Sequence, residues 1–169
     1  MTCDTGLPPP AGSGLAPRWR DRWSGIVTPP PVAPVRPKPD PRPLVLIVDD
    51  DPDVRDMLEL ALGTLGVHTI TAADGAEALT LARRRAPDAI VTDLFMPRLD
   101  GRQLIWCLRH TPWGRETPVV VFSGGVETLD DILDGPGVVV TDKAEGPGLV
   151  LDHLSRMLDA RRTARPVRP

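Results

Sequence analysis

Asp49 and Asp50 follow the apolar run Leu44 to Val48, Asp93 follows Ala89 to Thr92, and Lys143 stands just past Val138 to Thr141. If these runs are strands of one parallel sheet, three carboxylates and one ammonium collect at a single edge. Two carboxylates about 4 Å apart repel by roughly 4 kcal/mol at an effective dielectric near 20, and a divalent cation removes that cost. Lys143 adds to the pattern. Of the 20 lysines and arginines only Lys38 and Lys143 are lysines, so generic positive charge here is arginine. A lysine is a compact point charge with three rotatable donors, suited to an oxyanion more than to a planar bidentate partner. The plain alternatives are one lysine by chance and a solvated acidic pair ahead of a helix.

The elements that must position these groups alternate along the chain. Leu44 to Val48 precedes a helical pattern from Pro52 to Leu65, with Pro52 suited to the first helical position and Gly66 to the stop. Val67 to Thr71 precedes a helix capped by Asp74 and ending in Arg83, Arg84 and Arg85, whose charges suit the negative helix end. Ala89 to Thr92 is followed, after the loop from Asp93 to Asp100, by a helix from Gly101 to His110. Pro118 to Phe122 precedes a short helix near Thr128 to Leu133, and Val138 to Thr141 precedes a helix from Gly148 to Arg161. Runs one, three, four and five are almost continuously apolar, as strands covered on both faces must be. The second carries His68 and Thr69 and suits an edge. Right-handed crossovers then give an open, doubly wound α/β sheet with helices on both faces, whose ligands bind beyond the carboxyl ends of the strands.

Twelve of the 21 prolines lie between Pro8 and Pro43. Residues 1–43 are therefore expected to be a disordered tail, 44–162 one domain and 163–169 a short disordered C-terminal tail. The net charge of −3 is uneven: residues 1–43 carry six basic and three acidic side chains, and residues 163–169 two arginines, so the domain itself is acidic. That argues against nucleic acid as its direct partner. Cys3 and Cys107 suggest neither a disulfide nor a metal site. The N-terminus has no apolar leader and no run approaches a membrane span, so the expectation is a cytoplasmic protein.

At this point LVLIVDDDPDVR (Leu44 to Arg55), PDAIVTDLFMPRLDG (Pro87 to Gly101), PVVVFSG (Pro118 to Gly124) and the run at Lys143 together resemble the receiver domain of bacterial two-component response regulators. The middle motif, an Asp followed by Pro four and Gly eight residues later, is the most specific. The resemblance implies a flavodoxin-like, CheY-like sheet of order 2-1-3-4-5. It makes Asp93 the phosphoacceptor for a histidine kinase or phosphotransfer protein. Asp49, Asp50, Asp93 and the backbone carbonyl of Phe95 would hold Mg²⁺, an ion that takes oxygen ligands in an octahedron. Lys143 would offset charge on the transferring oxygens, and Ser123 would turn its hydroxyl toward the phosphoryl group. Such a domain is no enzyme beyond Mg²⁺-dependent self-phosphorylation and autodephosphorylation.

Three departures from the family stand out. Val140 occupies the place of an aromatic switch residue, Ala144 follows Lys143 where proline is usual, and the stretch between Ser123 and Lys143 is short, so output through this surface is expected to be unconventional. Only Thr163 to Pro169 follow the last helix, so the expected protein is a stand-alone receiver that signals to an unknown output protein, without DNA or membrane contact. A phosphorylation-independent receiver-like binding module is the alternative. A phosphatase using Asp49 and Asp51 as nucleophile and acid leaves Asp93 unexplained. Asp51 reads better as an N-cap, Pro97 and Gly101 as shape, and Trp106 as packing on a neighbour such as Trp113.

Overall fold

In the computed structural model, which describes residues 42–124 and 137–164, the apolar runs become β1 (Leu44–Val48), β2 (His68–Ala72), β3 (Ala89–Thr92), β4 (Val119–Ser123) and β5 (Val138–Asp142). They pair in parallel in the order β2-β1-β3-β4-β5. β1, β3 and β4 are buried almost throughout, in keeping with their uninterrupted branched side chains. β2 is half-buried at one edge. β5 is half-buried as well, which departs from the expectation of burial on both faces; it forms the other edge of the sheet.

The helices are α1 (Pro52–Gly63), α2 (Gly75–Arg85), α3 (Gly101–Arg109) and α4 (Gly148–Ala164). Their starts follow from local chemistry. Asp51 accepts from the Asp53 N–H ahead of α1, with Pro52 inside the first turn. Asp74 accepts from Ala76 and Glu77 at α2. Asp100 and Gln103 form a reciprocal capping box at α3. Boundaries move by a residue or two where the backbone demands it. β4 begins after Pro118, which has no N–H to give the ladder and serves instead through its carbonyl, accepting from Ile90 at 3.0 Å. The helix expected near Thr128 to Leu133 lies outside the described residues, as does most of the segment where an unconventional output is expected.

Side chains alternate across the sheet. Val45, Ile47, Val91, Val120 and Phe122 meet Leu58 and Leu62 of α1 and Val150, Leu154 and Leu158 of α4 in one buried cluster. The intervening Leu46, Val48, Ile90, Val119 and Val121 are equally buried and point to the opposite face, where α2 and α3 contact one another. Arg161 of α4 donates to the Asp88 carbonyl at 2.6 Å, and the Asp88 carboxylate accepts from the Leu44 N–H at 2.9 Å. No helix among the described residues is long and apolar enough to cross a membrane.

Candidate functional site

Register decides where the acidic residues go. Val48 of β1 is level with Thr92 of β3, so Asp49 and Asp93 leave the sheet side by side. Asp49 is 1% exposed and Asp93 7%, while Asp50 faces solvent. One carboxylate oxygen from each, with one from Asp50, lies within 4.8 Å of the others. Lys143, one residue past β5, places its ammonium 2.7 Å from Asp93 Oδ2 and 2.8 Å from Asp49 Oδ2. Asp93 Oδ1 accepts from the N–H groups of Leu94 at 2.6 Å and Phe95 at 3.3 Å. Asp49 Oδ1 accepts from the Asp51 N–H at 3.0 Å. The two carboxyl groups are thus aimed by backbone on one oxygen and share one ammonium on the other.

Burial pushes the Asp49 carboxyl above the ordinary carboxylate range, and the Lys143 hydrogen bond offsets only part of that. For Lys143 burial works downward, but the bonds from Asp49 and Asp93 outweigh it and hold the ammonium above the usual lysine value. A dominant ion pair would lower Asp49 as it raises Lys143. The opposite direction at Asp49 has a physical cause: one ammonium is divided between two carboxylates, and Asp49 is the more deeply enclosed. Three hard oxygen donors with too little positive charge around them match the requirements of a small divalent cation, so this cluster could hold a metal.

Around this centre the expected residues fall into place unequally. Ser123 ends β4, the strand between those carrying Asp93 and Lys143. It is fully buried, and its hydroxyl has no hydrogen-bond partner among the described residues. Phe95 is 56% exposed, with the Arg102 guanidinium 5.7 Å above its ring centroid. Gly101 is shape, as expected, and tightly so: a Cβ there would overlap the Asp93 carbonyl oxygen and come within 2.9 Å of Leu94 Cα. Asp51 caps α1, accepting from the Asp53 N–H at 2.9 Å, as expected. Trp106 packs on a neighbour, stacking on His110 with ring centroids 4.1 Å apart. The family's proline-associated cis peptide is absent, since no cis bond occurs among the described residues.

Sequence reading missed several groups that shape the site. Arg55 donates to the Asp49 carbonyl at 2.7 Å, a contact set by its reach back across the first turn of α1. Asp74, expected only as a cap, also pairs with Arg98, whose φ of +66° is unusual for a residue with a side chain. Asp142 and Glu145 form a capping box around Lys143; the Asp-x-x-Glu spacing was the available signal.

Comparison with known proteins agrees with this geometry. The family described as response regulator receiver domain matches residues 45–142. The chain is 39% identical over 115 residues to the transcriptional regulatory protein PrrA of Mycobacterium tuberculosis, covering 68% of this chain and 48% of that protein. It therefore spans about half the length of the curated relatives first matched. Among solved structures it is similar to the chemotaxis response regulator CheY4 of Vibrio cholerae, with 29% identity and a TM-score of 0.61 over 69% of this chain and 98% of that one. It is also similar to the receiver domain of sensor histidine kinase PA1611 from Pseudomonas aeruginosa PAO1, which has a magnesium ion coordinated in its active site cleft. That match has 26% identity and a TM-score of 0.64 over 70% of this chain and 98% of that one. The matched segment runs from the first strand of the sheet to the end of the fifth and takes in more than half of the 169 residues, and the chain belongs to the response regulator receiver domain family.

Proposed function

We propose that this domain accepts a phosphoryl group on Asp93 from a histidine kinase or phosphotransfer protein and signals through contact with a partner protein. The observation that carries the reading is the Lys143 ammonium at 2.7 Å from Asp93 Oδ2, beside the Asp49 and Asp50 carboxylates. In the transfer a carboxylate oxygen of Asp93 forms a bond to phosphorus as the bond from phosphorus to the donor histidine nitrogen breaks, and that nitrogen keeps the electron pair and takes up a proton. Asp49, Asp50, Asp93 and the Phe95 carbonyl would hold Mg²⁺, which when bound supplies positive charge against the transferring oxygens. Lys143 supplies the same from the protein side and is already aimed. Ser123 brings a buried hydroxyl without an acceptor among the described residues, and a phosphoryl oxygen is an acceptor of the right kind. The acidic balance of residues 44–162 supports a protein as the partner of this domain, not nucleic acid.

The test is phosphoryl uptake from acetyl phosphate, read by intact mass. Wild-type protein with Mg²⁺ is expected to gain one phosphoryl group, and both Asp93→Ala and addition of EDTA are expected to abolish the gain. Equal labelling of wild type and Asp93→Ala would overturn the assignment, and a wild type that never labels would favour a phosphorylation-independent binding module.

A further inference from the structure

We propose that Asp142 and Glu145 are positioning residues for Lys143. The proposal rests on the phosphoacceptor reading above and deepens it. Lys143 opens a single 3₁₀ turn, Lys143–Glu145, closed by a reciprocal capping box between Asp142 and Glu145. On its N-terminal side Asp142 is the last paired residue of β5, level with Ser123 of β4. Its carboxylate reaches over Lys143 to accept from the Ala144 N–H at 2.8 Å. Its own N–H donates to Glu145 Oε2 at 3.4 Å. On the C-terminal side the Lys143 carbonyl accepts from the Gly146 N–H at 3.1 Å, and the chain then leaves the turn through the positive φ of +75° at Gly146.

This turn has one tenant that matters. A lysine stem has more rotamer freedom to lose than almost any other side chain, and here the ammonium must reach two carboxylate oxygens at 2.7 and 2.8 Å. Long side chains hold such contacts only when the Cα from which they start is itself fixed. The sheet fixes it from one side and the capping box from the other. The N–H that Asp142 accepts belongs to Ala144, and a proline at that position would not supply it. The Asp142, Ala144 and Glu145 set therefore works as a unit, and it is this chain's own way of closing the turn.

The experiment uses the full chain as wild type, Asp142→Ala, Asp142→Asn and Glu145→Ala. Three quantities are measured: Mg²⁺ affinity by calorimetry, beryllofluoride affinity at saturating Mg²⁺, and kcat/KM for acetyl phosphate, with circular dichroism melts to establish folding. Asp142→Ala is expected to leave Mg²⁺ affinity within about twofold while beryllofluoride affinity and kcat/KM fall by about fivefold, the factor that corresponds to losing one helix cap. Asparagine caps as well as aspartate, so Asp142→Asn is expected to restore both despite its missing charge. Glu145→Ala, which loses the longer bond, is expected to show a smaller loss, about twofold, and it carries the test if Asp142→Ala does not fold. Wild-type values in Asp142→Ala, or an Asp142→Asn variant as impaired as Asp142→Ala, would overturn the positioning role alone. A wild type that binds neither beryllofluoride nor phosphoryl would overturn the phosphoacceptor reading, and the positioning role with it.

Discussion

Asp49 has the least comfortable position of any carboxylate in the site. It is enclosed, it lies beside Asp93, and it receives only part of one ammonium. Its folded-state pKa lies above the ordinary value of 3.8, so the unfolded chain ionises it more readily than the folded one, and the ionised group opposes folding. Without metal, its contribution should therefore improve as pH falls through the folded-state value toward 3.8, which is the reverse of a salt-bridged carboxylate. Lys143 has the opposite sense. With a pKa raised above 10.5, its stabilising contribution is complete below that value and is lost as pH rises through the folded-state one. Replacing Asp49 with Asn is expected to raise the stability of the metal-free protein near neutral pH and to abolish stabilisation by Mg²⁺. Thermal melts with EDTA and with Mg²⁺ check both, and a metal-free variant less stable than wild type would refute the sign.

At the scale of elements, the site depends on α3 lying directly against the loop that leaves β3. The Gly101 N–H donates to the Leu94 carbonyl at 3.0 Å, and no Cβ fits between α3 and the Asp93 peptide group. Gly101→Ala must push the helix away from that backbone. It is expected to lose about 2 kcal/mol of stability, within the usual range for overpacking, together with Mg²⁺ affinity, because the displaced loop also aims Asp93 through the Leu94 N–H. Urea unfolding and calorimetry measure the two effects. Loss of stability with unchanged metal affinity would show that the loop is held by other contacts, such as that between Arg98 and Asp74.

For the whole molecule, residues 44–162 are proposed as a folding unit that needs nothing from residues 1–40, whereas the Pro43 carbonyl accepts from the His68 N–H at 2.8 Å. The buried cluster is drawn from the strands, α1 and α4, and proline-rich sequence without a periodic apolar face has little to add to it. Deleting residues 1–40 is expected to change stability by less than about 1 kcal/mol, the scale of ordinary surface changes, as measured by urea unfolding. A larger loss would show that Trp19, Trp23 or Ile26 belongs to the core.

The sequence by itself determined the parallel α/β alternation, because branched apolar runs four or five residues long can be buried on both faces only as inner strands between helices. It also placed Asp49, Asp93 and Lys143 at one sheet edge, since a βα repeat puts every post-strand residue on the same side. The caps at Asp51 and Asp74 were legible for a similar reason, being local chemistry within a few residues. Tertiary structure decided what depends on distance between elements. That Lys143 divides its ammonium between two carboxylates follows from strands far apart in sequence meeting in register. The pairing of Asp74 with Arg98 was invisible for the same physical reason. Spacing along a chain sets which face a side chain takes, and only packing sets what it meets there.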